Sequence, residues 1–303
     1  MMLFGTIGTI SRFVDLPSAF MSCARAFIST LIIVIYIFAG GRRPDFQAIR
    51  ANAVRLFFAG IFMSLNWVLM FEAFRLTTVA VASLCYYMQP VFLMLSSPVF
   101  FKERLNTRKV LCIITAFLGM ALVTGVLSLP GTGGSAGAAA MTDAAKNSAA
   151  AAGAAAAAPV MTAHIKGALL AVMAAVLYTA NVIVSKKFKG DINPIDSTCS
   201  QIFVAGVILL PYLWMIGSAS SLTFDARSVI LLLILSVVHT GIAYIMFYSS
   251  VTRLGAQTIA VLGYIDPVES VLLSAFVLRE PLTAGMIVGA LMILSSTYIG
   301  SRD

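Results

Sequence analysis

The sequence predicts an all-α membrane protein with ten transmembrane helices, arranged as two inverted repeats of five. Three observations carry that prediction. First, 60% of the 303 residues are hydrophobic and only 11% are charged, with a mean hydropathy of +0.98. Soluble domains carry about 25% charged residues, so a bilayer is the solvent that suits this chain. Second, ten apolar stretches approach the ~20 residues that a helix needs to cross hydrocarbon. Third, the two halves of the chain repeat one another at an offset of 177 residues.

In order, the predicted spans are 1–14 (short), 18–40, 53–74, 77–101 and 107–129, then 165–186, 194–217, 227–251, 255–278 and 282–300. Turn and charge signals separate them: Asp15-Leu-Pro, Gly40-Gly-Arg-Arg-Pro, Lys102-Glu-Arg, Lys186-Lys-Phe-Lys-Gly-Asp and Arg279-Glu-Pro. Residues 130–164 are mostly Ala, Gly, Ser and Thr, interrupted by Asp143, Lys146 and Asn147. Their apolarity is almost all alanine methyl groups, which reads as a linker between two domains, 1–129 and 165–303, or as a marginal Ala helix.

The repeat is visible residue by residue. At the offset of 177, Tyr87, Pro90, Val91, Leu95, Ser97, Glu103 and Leu105 match Tyr264, Pro267, Val268, Leu272, Ser274, Glu280 and Leu282. Pro17 and Pro194 share the offset. Five spans per unit is an odd number, so the second unit enters the membrane from the opposite face. Inverted repeats of this kind are an architecture of secondary transporters, with the substrate site near the midplane.

Orientation follows from charge. With the N-terminus inside, 13 Lys and Arg residues fall on the cytoplasmic side and six opposite, with Arg25 inside a span; positive charge collects in cytoplasmic loops. Both termini are expected in the cytoplasm of a plasma-membrane protein. The repeat also exposes a short start: span six begins near Lys166, 28 residues before Pro194, whereas 16 residues precede Pro17. With no basic n-region or cleavage site to explain it, a truncated first helix or a misplaced start codon is expected.

Several functions are disfavoured by the residues themselves. The net charge of +8 reflects cytoplasmic loops rather than a nucleic-acid surface, since no basic stripe with interleaved aromatics occurs. Cys23, Cys85, Cys112 and Cys199 stand alone in apolar stretches, the pattern of packing residues rather than metal ligands or nucleophiles. No HExxH or P-loop is present; an integral membrane enzyme, which would need such a motif or a nucleophile–base set, is the runner-up reading, and an intrinsic ATPase is not expected. No cofactor and no metal are expected. A receptor or scaffold that binds without flux is the third reading.

Further residues carry a family resemblance. Asn66-Trp-Val-Leu-Met-Phe-Glu-Ala-Phe-Arg75, running into Tyr86-Tyr-Met-Gln-Pro90 and Phe101-Lys-Glu-Arg-Leu105, resembles the EamA-like repeat of the drug/metabolite transporter superfamily. So does Ala256-Gln-Thr-Ile-Ala-Val-Leu-Gly-Tyr-Ile-Asp-Pro267, ending in Leu278-Arg-Glu-Pro-Leu282. The resemblance implies ten helices, a central cavity and alternating access for small metabolites or drugs, often as export.

Polar groups inside spans are the sharpest site candidates, because a central charge costs ~2.5–3.5 kcal/mol on insertion scales and marks function by default. Asp266 precedes Pro267, Glu269 lies one turn on, and the matching position in the first repeat is the uncharged Gln89. Asp266 is therefore a candidate for proton coupling or for a cationic substrate group, or it accepts bonds from backbone broken at Pro267. Pro90 and Pro267 are expected to kink their helices. His239 either protonates and binds substrate or is an interhelical hydrogen-bonded histidine. Asn66, Asn181 and Gln89 glue helices or line the cavity. Tyr86, Tyr87, Tyr178, Tyr244 and Tyr264 present aromatic faces with hydroxyl handles suited to an amphipathic solute, or simply pack. Arg25 snorkels or meets substrate, and Glu72 and Arg75, three apart, are expected to pair. Glu103 and Glu280 end the fourth helix of each repeat and read as structural turn-formers, their favourable partner being the next helix's N-terminus. Gly285 and Gly289 form a GxxxG face on span ten, for internal packing or for a homodimer. The expected partners are a small-molecule substrate, the lipid bilayer and protons.

Overall fold

The computed structural model describes residues 2–100, 107–124, 126–127, 157–190, 192–215, 225–246, 265–280 and 282–301. All regular structure among the described residues is helical: α1 Met2–Ser11, α2 Ser18–Ala39, α3 Phe46–Ala51, α4 Ala53–Leu76, α5 Val79–Tyr86, α6 Gln89–Phe100, α7 Thr107–Val123, α8 Ala157–Ser185, α9 Pro194–Met215, α10 Ala226–Ser236, α11 Ile265–Phe276 and α12 Ala284–Ser301. A single π-helical stretch, Val237–Ile242, follows α10 without a break. Among the described residues six helical stretches are long and apolar enough to cross a bilayer, including Val79–Ser96 and Ala226–Met246; Val110–Val123 and Ala284–Ser296 are shorter apolar helices.

The ends of these helices follow from their local residues. Asp45, Thr78 and Asp225 are N-caps whose side chains accept from Ala48, Val81 and Ser228 N–H groups, each satisfying a donor that the first turn leaves open. At Asp225, the bonds from Ser228 hold the carboxyl below its ordinary range. α2 ends at Gly40-Gly41, where Gly41 takes a left-handed φ of 68° and Arg42 N–H folds back onto Ile37 O at 3.2 Å, a Schellman-type stop. α8 begins at Ala157, eight residues ahead of the boundary at 165 that composition predicts, because alanine is the strongest helix former.

The expected kink at Pro90 is a break. Tyr87 and Met88 form a turn, α6 starts at Gln89, and Pro90 is its second residue. Proline has no N–H to give to the preceding turn, and at the start of a helix that donor has no partner in any case. Pro267 is the third described residue of α11.

The chain divides into two compact units. The first comprises Met1–Val68 and Ala180–Asp266. Its centre is α2, which packs on α9, α10 and the π stretch, while α1 packs on α10 and the π stretch. Close approach depends on glycine: a Cβ on Gly60 would lie 2.5 Å from Val204 Cγ1, and one on Gly241 2.8 Å from Ile32 Cγ2. Ala26, Ile33, Ile202 and Leu235 fill the interior at 0–1% exposure.

The second unit comprises Leu69–Thr179 and Pro267–Asp303. Its main seam joins α7 to α12, and the Gly289 of the GxxxG pair lies directly against Gly119 O. In both units large apolar side chains, including Leu31, Phe38, Leu111, Trp214 and Leu291, remain exposed. On a soluble protein such a surface would be an interaction patch; on helices of this length and hydropathy it is a lipid-facing exterior.

Candidate functional site

In the first unit, polar residues converge where α2 faces the π stretch. Arg25 occupies the eighth position of α2 and is 4% exposed. Its Nε and Nη2 donate to Thr240 Oγ1 at 3.0 and 2.7 Å. Its guanidinium carbon lies 4.8 Å from the centre of the Trp67 ring, a cation–π contact that strengthens as water is excluded. One turn along α2, Ser29 donates to Ser236 O at 2.8 Å. Thr240 in turn donates to Leu235 O, five residues back, at 3.1 Å.

The π stretch itself is the unusual element. One extra residue per turn leaves helix carbonyls without their ordinary partners, and such turns concentrate at functional sites. Here the side chains of the stretch take up those carbonyls: Thr240 reaches Leu235 O, and His239 Nδ1 lies 3.2 Å from Ile234 O. His239 Nε2 lies 2.7 Å from Thr6 Oγ1 on α1. With Nδ1–H given to Ile234 O, Nε2 is the acceptor facing Thr6. Tyr244 meets Phe4 with the rings tilted by 43° and their centres 5.5 Å apart. Asn66 is buried, at 3% exposure. Asn181 donates to Ala59 O at 2.8 Å and to Gln201 Oε1 at 2.9 Å, so it bridges α8, α4 and α9.

At one end of the first unit, Asp15 N–H donates to Ser228 Oγ at 3.1 Å. At the other, Arg42 pairs with Asp196, which also accepts from Asp45 N–H at 3.3 Å. There Asn52 accepts from Lys189 N–H at 2.6 Å and donates to Lys189 O at 2.8 Å.

The second unit, with Asp266 at its boundary with the first, holds the remaining candidates. Gln89 contributes its backbone carbonyl, which accepts from Thr179 Oγ1 at 3.2 Å. Tyr86 meets Tyr178 edge to face at 6.1 Å, and Tyr87 is half-buried. Glu280 accepts from Val79 N–H at 2.9 Å and from the Ser274 hydroxyl. Its partner is thus a helix N-terminus, but that of α5 rather than of the next helix. Arg279 takes a left-handed φ of 55° and Glu280 N–H closes onto Ser274 O at 3.0 Å, which turns the carboxylate toward α5. Glu269 Oε2 is buried with no hydrogen-bond partner among the described residues. Asp266 and Glu269 are three residues apart on α11, and Asp266 Oδ1 is buried. Tyr264 and Glu103 lie outside the described residues.

Sequence reasoning missed Thr240, Thr6 and the Arg25–Trp67 stack, because hydropathy identifies which residues lie in a span but not which residues they meet. It also missed His164, which fell in the Ala-rich stretch; it is 7% exposed and 2.8 Å from Thr77 Oγ1. Among the described residues no group of three His, Cys, Asp or Glu could hold a metal ion.

Comparison with known proteins bears on all of this. The model of the EamA-like transporter family matches residues 1–125 and 165–302. "Uncharacterized transporter YxxF" of Bacillus subtilis (strain 168) is 26% identical over 273 residues, 90% of this chain and 78% of that protein. An "Uncharacterized transporter" of Archaeoglobus fulgidus is 26% identical over 287 residues, 94% of this chain and 89% of its own length. A crystal structure matches with a TM-score of 0.65 over 99% of this chain and 93% of that one. At 16% identity it shows the fold alone.

Proposed function

The chain belongs to the EamA-like transporter family, and on that premise we propose that it is a secondary transporter moving a small organic metabolite or drug across the plasma membrane by alternating access, in the direction of export. The proposed architecture is ten spans in two inverted five-helix repeats, 1–129 and 165–303, joined by the Ala-rich linker 130–164, with both termini cytoplasmic.

The observation that carries the reading is the Arg25 cluster. A guanidinium is permanently charged, and burying it among membrane helices is expensive enough that such residues mark substrate or ion pathways. Arg25 is held against Trp67 and Thr240 at a π stretch, which supplies a cation, an aromatic face and a hydroxyl within one small volume. Those are the groups that orient a small amphipathic solute in an otherwise apolar site. Counterflow in proteoliposomes, screened over amino acids, nucleobases, sugars and cationic drugs, tests it. We expect at least one solute to exchange, with Arg25→Met abolishing exchange. A folded, inserted protein that exchanges none of these classes would count against transport.

Export is coupled to protons in this proposal, through the Asp266–Glu269 pair on α11. The buried Glu269 oxygen without a described partner supports it, since an uncompensated carboxylate is costly in low dielectric unless it carries a proton. Asp266→Asn is expected to abolish transport driven by a pH gradient while counterflow at equal pH continues. Gradient-driven flux at the wild-type rate in Asp266→Asn would remove Asp266 from the mechanism and leave Glu269 or His239.

A further inference from the structure

The seam between α7 and α12 opens at one end into a groove with a definite chemistry. The two helices run antiparallel in a fixed register: a Cβ on Gly119 would meet Gly289 O at 2.7 Å, and one on Gly285 would meet Leu122 O at 3.4 Å. Carried seven residues on, that register sets Cys112 opposite Ser296, and a turn further it brings Arg108 near Ile299. At the glycine pair the helices touch backbone to backbone. Toward the Arg108 end they part, leaving a cavity of about 390 Å³ lined by Arg108, Leu111, Thr115, Ser295, Ser296 and Ile299. That is within the roughly 300–1,000 Å³ of small-ligand sites.

The groove is graded along its length. Arg108 lies in the first turn of α7, exposed and ahead of the apolar stretch Val110–Val123, the level of a lipid headgroup. In the sequence, Lys102, Arg104 and Lys109 lie within six residues of Arg108. Below it, the floor consists of small hydroxyl residues whose protons are already committed to their own helices: Thr115 donates to Leu111 O at 2.9 Å, Ser295 to Met292 O at 3.2 Å and Ser296 to Ile293 O at 2.8 Å. Hydroxyls satisfied in this way can be covered by an acyl chain without stranding a donor. The walls are Leu111 and Ile299, left 59% and 43% exposed.

We propose that this groove binds one anionic phospholipid, its phosphate on Arg108 and one acyl chain lying along the small-residue floor. A basic site between transmembrane helices at the cytoplasmic level is the recurring form of headgroup recognition, and here the apolar continuation selects a lipid over a soluble phosphate. The site is separate from the Arg25 cluster and does not depend on what the protein transports.

Native mass spectrometry of the full-length protein in neutral detergent tests the proposal, with phosphatidylglycerol, phosphatidylcholine of the same chains, and glycerol 3-phosphate as probes. Wild type is expected to retain one phosphatidylglycerol in preference to phosphatidylcholine. Arg108→Gln is expected to lower that preference about fivefold, the effect of one arginine near a charged surface, and Arg108→Lys to preserve it. Ser295→Leu, which fills the groove from an exposed position, is expected to reduce retention of both lipids. Three results would overturn the proposal: equal retention of the two lipids by wild type, an unchanged preference in Arg108→Gln, or glycerol 3-phosphate binding as tightly as the lipid. Melting temperatures measured without lipid verify that the variants are folded.

Discussion

Asp196 shows how burial decides the effect of losing one charge. Its side chain is 2% exposed, whereas Arg42, its partner, is 36% exposed. If Asp196 is changed, Arg42 can turn to water. If Arg42 is removed, a buried carboxylate keeps, among the described residues, the Asp45 N–H alone. Breaking a fully buried pair costs about 3–5 kcal/mol; the openness of Arg42 lowers this, and Arg42→Ala is expected to cost about 1–3 kcal/mol. Asp196→Asn keeps an acceptor for Asp45 and should melt at the higher temperature of the two. Thermal unfolding in detergent measures the difference, and the reverse order would refute the argument. Asn181 is a second case, because its amide joins three helices. Asn181→Leu is expected to lose about 1–2 kcal/mol of stability and to leave the concentration dependence of counterflow unchanged, whereas a residue lining the cavity would alter it. That Asn181 and Arg25 lie inside spans was legible from composition and position. That one holds helices together and the other is stacked on Trp67 was not, since periodicity gives the face of a helix and never its neighbour.

At the scale of the element, the α7–α12 seam is specified by one glycine more than by the other. Any Cβ on Gly289 would overlap Gly119 O, which is backbone and cannot rotate away, while the nearest atom to a Cβ on Gly285 is Leu122 O at an ordinary 3.4 Å. Gly289→Ala must therefore separate the helices, at the ~1–3 kcal/mol typical of overpacking. Gly285→Ala is expected to be neutral within error, because it needs no shift. A lower melting temperature for Gly285→Ala than for Gly289→Ala would show the seam to be misread. The GxxxG spacing was readable in the sequence, but which glycine bears the contact depends on register against α7, and nothing local encodes that register. The same limit applies to α5 and α6: Pro90 marks the interruption, yet the turn falls at Tyr87–Met88, before the proline, because the missing donor affects the preceding turn. The π stretch had no sequence signature. It becomes intelligible once Arg25 is seen to engage Thr240 and His239 to reach Thr6.

At the scale of the whole molecule, orientation in the membrane can be argued from the first unit by itself. Its described contacts separate into two ends. One end carries Arg42, Arg43, Arg50, Arg55, Lys186, Lys187 and Lys189, tied together through Arg42–Asp196 and Asn52–Lys189. The opposite end carries Arg12 and Arg227, where Asp15 meets Ser228 and Arg227 lies over Phe13. Seven cations against two is the asymmetry on which the proposed orientation sets the first end in the cytoplasm. In the second unit α7 and α12 are antiparallel and Glu280 meets the start of α5; the proposed inverted repeat sets Arg75 on the external side and Arg108 on the internal one. The four native cysteines are all buried, so introduced cysteines can be labelled over a low background. Arg43, Arg75, Lys187 and Ala226 are exposed and sample both ends of the first unit and one end of the second. A membrane-impermeant maleimide applied to intact cells is expected to modify Arg75→Cys and Ala226→Cys and to spare Arg43→Cys and Lys187→Cys until the cells are opened. The opposite pattern would invert the whole assignment and move the Arg108 groove to the outer leaflet. Labelling of Ala226→Cys but not Arg75→Cys would separate the two units' orientations and defeat the inverted repeat itself, because Arg75 and Ala226 are set on one side only by the odd number of spans in each half.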